Sequence, residues 1–409
     1  MEQSHSLSSS SAIAKKAIII CAGLILATMS ALQALSGIAQ SKTPENVPYS
    51  LPWAGTAQAY LADQLLADQK QKPDMKQIAT LAKQSLIAQA VNARAIRILG
   101  LVEDAAHHGT QAYALVNLAT TLSRRDIGAQ LWLINKHAGA NDLVAALQHY
   151  DIALRTNPDV PKTLFPVLTH ALEDPEVERQ FVPYVKSDAT WVGGFIDYAI
   201  SQSPHPEVVA HLAIAAGGLP VTDPPRQREL ALLSQLVAKN NYQEAYRTFT
   251  SLPGMSSKIL TTTSFDKGNT AERSGVFGWQ VFSTPSIGAA IVGGTPQLQI
   301  FAASGERAMV ARKLLFLAPG TYQLQTTYSE GDSARGAIAT WQLQCVRGAT
   351  VTPIWIRDDK APLSAANKTV SDIPLNGGCD AYYLDMNVAG GPQQSGSQFS
   401  VTSVSLSHQ

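Results

Sequence analysis

The chain has 409 residues, of which 45% are hydrophobic and 15% are charged, so it can bury two or three ordinary hydrophobic cores. Lysine plus arginine and aspartate plus glutamate both number 31, which leaves no net charge to attract nucleic acid or an anionic membrane surface. The composition therefore predicts a folded multidomain protein and excludes binding that is driven by bulk charge.

An apolar segment follows Lys15 and Lys16 near the N-terminus. Residues 17–39 carry no charge and, at about 1.5 Å per residue, could just cross a bilayer core of roughly 30 Å as a helix. The positive-inside rule then makes residues 1–16 a cytoplasmic tail. The segment also fits a cleaved signal peptide that ends in small residues at 37–39. The sequence thus predicts a single-pass inner-membrane protein with a periplasmic C-terminal part, or a periplasmic or secreted protein after cleavage.

Two cysteines, Cys345 and Cys379, lie in the C-terminal third of the part that is expected outside the cytoplasm. An oxidising compartment favours a disulfide between them. Closing a loop of this length should stabilise the domain by roughly 3–4 kcal/mol in the chain-entropy model.

Helical periodicity dominates the chain up to residue 252. Residues 40–53 contain three prolines and little periodicity, which predicts a linker. From residue 54 onward, apolar residues recur at intervals of three and four, which is typical of helices that are buried on one face. We therefore expect one helical domain over residues 54–252.

An internal repeat is the most informative feature of this helical region. Leu99, Ala112 and Ala119 each recur 34 residues later, and 34 residues is the period of tetratricopeptide repeats. The region resembles that family at a set of signature positions: Leu99, Gly100, Ala112, Ala119, Leu133, Ala146, Tyr150, Ala153 and Pro158. The resemblance implies an α-helical solenoid whose groove binds a protein partner. The alternative is a helical spacer without a ligand.

The composition changes near residue 253, where Ser, Thr, Gly and Val replace the helical pattern. Period-two alternation and turn residues predict an antiparallel β-sandwich of jelly-roll type over residues 253–409. In the last strand the apolar residues change from odd-numbered to even-numbered positions, which predicts a bulge near residues 402–403. Residues 277–279, 317–322, 341–345 and 378–384 resemble the galactose-binding-like jelly roll of carbohydrate-binding modules. The predicted fold class is therefore α + β multidomain, with a membrane helix, a helical solenoid and a β-sandwich.

Catalytic motifs are absent from the sequence, which contains no metalloprotease, nucleophile-elbow, phosphate-loop or dinucleotide signature. We therefore expect no enzyme activity, no catalytic residue and no cofactor. Asp358, Asp359, Asp380 and Asp385 leave one alternative, a polysaccharide-processing hydrolase or lyase. The jelly-roll resemblance also makes a structural calcium ion possible, and the sequence assigns no ligand residue to it.

Aromatic side chains are the expected determinants of sugar binding, because an exposed ring stacks on a pyranose while polar neighbours bind its hydroxyls. The candidates in the β-sandwich are Trp279, Trp355, Arg357, Tyr382, Tyr383 and Asp385. Each aromatic candidate could instead belong to the hydrophobic core. We therefore predict a non-catalytic binding or scaffold protein of the bacterial envelope, with a protein partner at the repeats and a glycan at the sandwich, in surface or exopolysaccharide biogenesis.

Overall fold

The structure is a computed structural model that describes residues 26–28, 30, 55–68, 72–187, 189–222, 224–330, 336–360 and 369–409. These residues form two compact units, one ending at Pro161 and one running from Lys162 to Gln409. The predicted cytoplasmic tail and linker, and most of the predicted membrane segment, lie outside the described residues.

Helix length tests the predicted location of the chain. Within the part of the chain that the structure describes, no helix is both long and apolar enough to cross a membrane. The longest described helices have 14 residues, or about 21 Å, which is shorter than a bilayer core of roughly 30 Å. This finding contradicts the prediction of a single-pass inner-membrane protein.

The first unit consists of helix pairs. Its described helices are α1 (Gly55–Ala67), α2 (Met75–Ala88), α3 (Ala93–Ala105), α4 (Gly109–Leu122), α5 (Ile127–Gly139) and α6 (Leu143–Thr156). Helices α2, α4 and α6 have equal lengths and begin 34 residues apart. Asp74 and Asp142 cap the N-termini of α2 and α6, and each side chain accepts at least one hydrogen bond from a backbone N–H of the first turn. The structure thus contains helix pairs with the predicted period, while their identity as tetratricopeptide repeats stays a prediction.

Small residues at the contacts allow the two helices of each pair to lie close together. Ala112 and Ala119 of α4, like Ala153 of α6, are completely buried. A Cβ atom at Gly100 in α3 would lie 2.7 Å from Cγ2 of Val116 in α4, so only glycine fits this contact. The residues selected by the 34-residue spacing are therefore the ones that pack each pair together.

The second unit combines six described helices of ten or more residues with a β-sandwich, and shorter helical turns lie between residues 257 and 277. The helices are α7 (Pro161–Ala171), α8 (Pro175–Val185), α9 (Val192–Gln202), α10 (Pro206–Ala216), α11 (Gln227–Ala238) and α12 (Tyr242–Ser251). Phe249 of α12 packs against Phe277 with ring centroids 4.8 Å apart, and Tyr246 lies 5.0 Å from Phe316. The predicted helical domain 54–252 thus contributes helices to both units. After residue 253 the chain forms short helical turns up to residue 277, and the first strand begins at Gln280, so the boundary at residue 253 stays a prediction.

Ten described strands form the sandwich: β1 (Gln280–Val281), β2 (Ile287–Val292), β3 (Gln297–Ala302), β4 (Arg307–Leu315), β5 (Gly320–Glu330), β6 (Ile338–Arg347), β7 (Thr350–Lys360), β8 (Thr369–Leu375), β9 (Ala381–Ala389) and β10 (Ser397–His408). Sheet 1 has the order β1-β4-β9-β6-β7, and sheet 2 has the order β2-β3-β10-β5-β8. All paired strands are antiparallel. The expected antiparallel β-sandwich is confirmed.

Alternation along the strands places the apolar residues between the sheets. Leu298 and Ile300 of β3 and Trp341 and Leu343 of β6 are buried in one core. The register of β10 against β5 shifts between Val401 and Ser403, where the sequence predicts a bulge.

The predicted disulfide between Cys345 and Cys379 is present, with Cα atoms 5.5 Å apart. It ties β6 to the loop that precedes β9, and Cys345 is buried at the edge of the sandwich core.

Candidate functional site

Three of the predicted glycan-binding residues are buried. Trp279 is 1% exposed, its Nε1 donates to the carbonyl of Thr263 at 3.1 Å, and its ring packs 6.4 Å from that of Trp341. Tyr382 is 2% exposed and Asp385 is 1% exposed. These side chains offer no surface on which a sugar could stack in this structure. For Trp279 and Tyr382, the structure favours the core alternative.

Trp355 and Arg357 are brought together on β7, but the guanidinium is engaged within the protein. Its Cζ lies 5.6 Å from the Trp355 ring centroid, and its Nε lies 2.9 Å from Oδ1 of the buried Asp359. Nη1 donates to the carbonyl of Leu324 at 3.0 Å, and Nη2 donates to Oγ1 of Thr326 at 2.6 Å. Arg357 therefore fastens β7 of sheet 1 to β5 of sheet 2.

Tyr383 lies beside an ion pair on the face of sheet 1 that points away from sheet 2. Arg312 donates two hydrogen bonds of 2.7 Å to the Asp385 carboxylate, and its guanidinium lies 4.4 Å from the Tyr383 ring centroid. The Tyr242 ring of α12 packs edge-on against Tyr383 at 6.5 Å. Burial, followed by the hydrogen bond with Tyr242, raises the pKa of Tyr383. This cluster joins α12 to the sheet.

The remaining carboxylates of the hydrolase alternative also have structural partners. Asp359 accepts a hydrogen bond of 2.6 Å from the Tyr328 hydroxyl, and burial, together with the Asp359 charge, raises the pKa of Tyr328. Asp358 accepts from Thr340 at 2.6 Å, and Asp380 accepts from the backbone N–H of residue 348 at 2.7 Å. Within the described ranges, no three His, Cys, Asp or Glu residues are grouped to hold a metal ion.

A shallow groove on the outer face of sheet 2 was not predicted from the sequence. It has a volume of about 460 Å³ and lies across β2, β3, β10 and β5. Gln299 pairs with Ala290 on one side and with Ser400 on the other, and Ser400 pairs with Ser329. The alternate residues of β3 and β10 point into the core, so the same alternation that builds the sandwich lines this sheet 2 groove.

The lining of the sheet 2 groove is polar but uncharged. Gln299 and Gln398 are exposed amides, each of which can donate and accept hydrogen bonds, and Ser329 and Ser400 add hydroxyls. The half-buried ring of Phe301 lies between its cross-strand partners, residues 288 and 398. None of the described residues that line the groove is charged. Such a surface can bind hydroxyl groups and stack on one apolar sugar face.

The first unit contains a separate cluster of aromatic residues. Tyr113 of α4 lies 6.4 Å from Trp132 of α5 and 5.9 Å from His137, and His137 stacks on His149 at 5.4 Å between ring centroids. Burial, followed by the charge of His137, lowers the pKa of His149. Trp132 Nε1 donates to Asp104 at 2.9 Å, and both residues line a cavity of about 450 Å³.

Comparisons with known proteins give fold-level similarities only. No protein-family profile matches the chain, and no curated protein matches it. A carbohydrate-binding module, TmCBM61 in complex with β-1,4-galactotriose, is 11% identical, with a TM-score of 0.25 over 36% of this chain and 99% of that chain. A structure from work on carbohydrate-binding modules of the β-sandwich superfamily is 10% identical, with a TM-score of 0.27 over 36% of this chain and 63% of that one. Bacteriophage CBA120 tailspike protein 4 is 8% identical, with a TM-score of 0.26 over 36% of this chain and 21% of that one.

Proposed function

We propose that this chain is a non-catalytic binding protein whose β-sandwich binds an uncharged glycan in the sheet 2 groove. The observation that carries the proposal is the lining of the groove, in which the described residues offer exposed amides and hydroxyls beside the half-buried ring of Phe301 and include no charged side chain. Amide and hydroxyl groups exchange hydrogen bonds with sugar hydroxyls, and a ring face covers the apolar side of a pyranose. Because the TM-scores above are all below 0.5, the support comes from this lining and not from the similar structures.

A glycan array is the direct test of the proposal. The wild-type protein should bind to one group of neutral glycans on the array. Phe301→Ala should not bind to that group, because the substitution removes the stacking surface. Gln325→Ala is the matched control, since Gln325 lies on the same face of sheet 2 in β5 but outside the groove. The proposal would be refuted if the wild-type protein bound no neutral glycan on the array, or if Phe301→Ala bound the same glycans as the wild-type protein.

The absence of catalysis is part of the same proposal. A glycoside hydrolase needs one carboxyl group to donate a proton and another to act as nucleophile or base. Asp359 and Asp385 are instead held in buried ion pairs with Arg357 and Arg312. We expect the purified protein to release no reducing ends from any polysaccharide that it binds. If the wild-type protein released reducing ends and Asp358→Asn or Asp380→Asn did not, the enzyme alternative would be favoured.

A protein partner at the first unit is a second proposal. It is supported by the cavity beside Trp132, where an aromatic ring, the Asp104 carboxylate and the Lys136 amine are close together, with Lys136 Nζ 5.6 Å from the Trp132 ring centroid. Anchors of this kind are typical of protein interfaces. A photo-cross-linker at Asn135, which lines the cavity, should capture one protein that Trp132→Ala no longer captures. Capture of the same protein from exposed Gln148, outside the cavity, would contradict this assignment.

A role in exopolysaccharide or surface-polysaccharide biogenesis is the biological setting that we propose. An assembly factor for a polysaccharide needs one surface for the glycan and another for the protein machinery, and the two proposed surfaces would meet that need. Deleting the gene should change the amount or length of an exported polysaccharide. An unchanged polymer would argue against this setting and leave the binding proposal intact.

A further inference from the structure

A second cavity adjoins the sheet 2 groove. It has a volume of about 200 Å³ and lies beyond the ends of β3 and β10, against the turn at residues 394–396, and we call it the turn cavity. Phe301 and Gln398 line both cavities. The aromatic ring and one amide therefore stand at the junction of two adjacent depressions.

The turn that forms the second cavity is held in place by backbone contacts. Gly396 has φ +73°, its N–H donates to the carbonyl of Gln393 at 3.0 Å, and a Cβ atom there would lie 2.8 Å from the carbonyl oxygen of Ala302. The buried hydroxyl of Ser397 accepts from the backbone N–H of residue 391 at 2.9 Å. These contacts fix the turn against the end of β3, so the turn cavity is preformed.

The two cavities together are longer than one sugar ring. Gln299 lines the groove and Ala303 lines the turn cavity, and the two are four positions apart in extended chain, which is roughly 13 Å. Gln394 and Ser395 are exposed at the far end of the turn cavity and are again uncharged. The polar, uncharged lining therefore continues from one cavity into the next.

We infer that the groove and the turn cavity form one extended site that binds several consecutive sugars of an uncharged polysaccharide chain, with Phe301 between the two halves. This inference rests on the proposed glycan binding and adds the length of the ligand. A single sugar would fill only one cavity, whereas an oligosaccharide would contact Gln299 at one end and Gln394 at the other.

Titrations with a length series test the inference. The probes are the mono-, tri- and hexasaccharides of neutral cello-, manno- and galacto-oligosaccharides. For the series that binds, the trisaccharide should bind about tenfold more tightly than the monosaccharide. Ser395→Trp, which introduces a large side chain into the turn cavity, should abolish this gain.

Two outcomes overturn the inference while glycan binding stands. One is equal affinity for the monosaccharide and the longer sugars, and the other is a gain with length that Ser395→Trp does not alter. Absence of binding to all probes and to a neutral-glycan array would defeat the proposed function itself, and this inference with it. The thermal midpoint of Ser395→Trp should equal that of the wild-type protein, because Ser395 is exposed.

Discussion

The Nη2 atom of Arg97 lies 2.8 Å from Oδ2 of Asp63, and the two residues are separated by 34 positions, the period of the helix pairs. Nε of the same guanidinium lies 2.7 Å from Oδ1 of Asp126, whose side chain caps α5. A Cβ atom at Gly128 would lie 2.8 Å from this guanidinium, so a glycine leaves room for it. A single buried arginine thus links α1, α3 and α5.

Replacing this arginine should destabilise the first unit. We expect Arg97→Met to lower the free energy of unfolding by about 3 kcal/mol, because the buried carboxylate of Asp126 loses its counter-ion. Arg155→Met is the matched control, since it removes an exposed i,i+4 ion pair with Asp151 that contributes at most about 0.5 kcal/mol. Urea unfolding of both variants measures the difference. Equal losses would contradict the linking role of Arg97.

The same ion pairs predict a response to acid. Burial acts to raise the pKa of Asp63, but the hydrogen bond and charge of Arg97, together with Arg94, bring it below its usual 3.8. The folded-state pKa lies below the unfolded value, so the stabilisation is complete above about pH 4 and is lost as the pH falls through the lowered value. Arg97→Met should therefore lose less stability than the wild-type protein between pH 5 and pH 3. An identical acid response in both proteins would rule this out.

Lys313 predicts a gain in stability at alkaline pH. Its side chain is completely buried, and its Nζ donates to Oδ1 of Asn269 and to the carbonyl of Phe277. Burial lowers the pKa of Lys313 from 10.5 to about 7. The buried ammonium therefore destabilises the fold most below pH 7, and stability should rise by up to about 4 kcal/mol as the pH increases from 7 to 10.

Lys313→Met isolates this contribution. Every other group titrates in both proteins, so the rise in stability between pH 7 and pH 10 should be much smaller in the variant. Urea unfolding at the two pH values measures it. A rise of equal size in wild-type protein and variant would show that the Lys313 amine is not the source.

The disulfide should stabilise the sandwich independently of these charges. Replacing Cys345 and Cys379 together by serine should lower the free energy of unfolding by about 3 kcal/mol, because the unfolded chain gains the freedom of the open loop. Unfolding of the wild-type protein with a reductant should show a similar loss, whereas the double variant should not respond to the reductant. A wild-type protein that is equally stable with and without reductant would contradict this prediction.

The aromatic contacts of α12 make a prediction about domain boundaries. A fragment of residues 162–409 should fold, whereas a fragment of residues 253–409 should be less stable by about 3 kcal/mol or more. The shorter fragment lacks Phe249 and Tyr246, which cover Phe277 and Phe316. Thermal unfolding of the two fragments provides the comparison. Equal midpoints would support a boundary at residue 253.

Local patterns made much of this fold predictable from the sequence. The 34-residue spacing of Ala112 and Ala146 identified the positions where helices touch, because only small residues allow that approach. The alternation of apolar and polar residues identified the buried faces of the strands. The shift of the apolar residues in β10 from odd-numbered to even-numbered positions identified its bulge. Two cysteines outside the helical region predicted the disulfide, since few other pairings were available.

Contacts between distant segments were not predictable in the same way. Trp279 and Trp341 are both buried, and no local pattern distinguished Trp279 from an exposed sugar-binding residue. Arg312 and Asp385 are 73 positions apart and meet only because β4 pairs with β9. The sheet 2 groove is assembled from four strands, and no tryptophan or tyrosine is among the described residues that line it, so a search for those residues could not find it.

Calorimetric titration of the neutral glycan that an array selects tests the central claim most directly. The sheet 2 groove predicts saturable binding to the wild-type protein, an affinity at least about tenfold weaker for Phe301→Ala, and no change for Gln325→Ala. Because the described residues that line the groove are uncharged, the affinity should be the same at low and high salt. Wild-type affinity in Phe301→Ala and Gln299→Ala would contradict the claim that this groove binds the glycan.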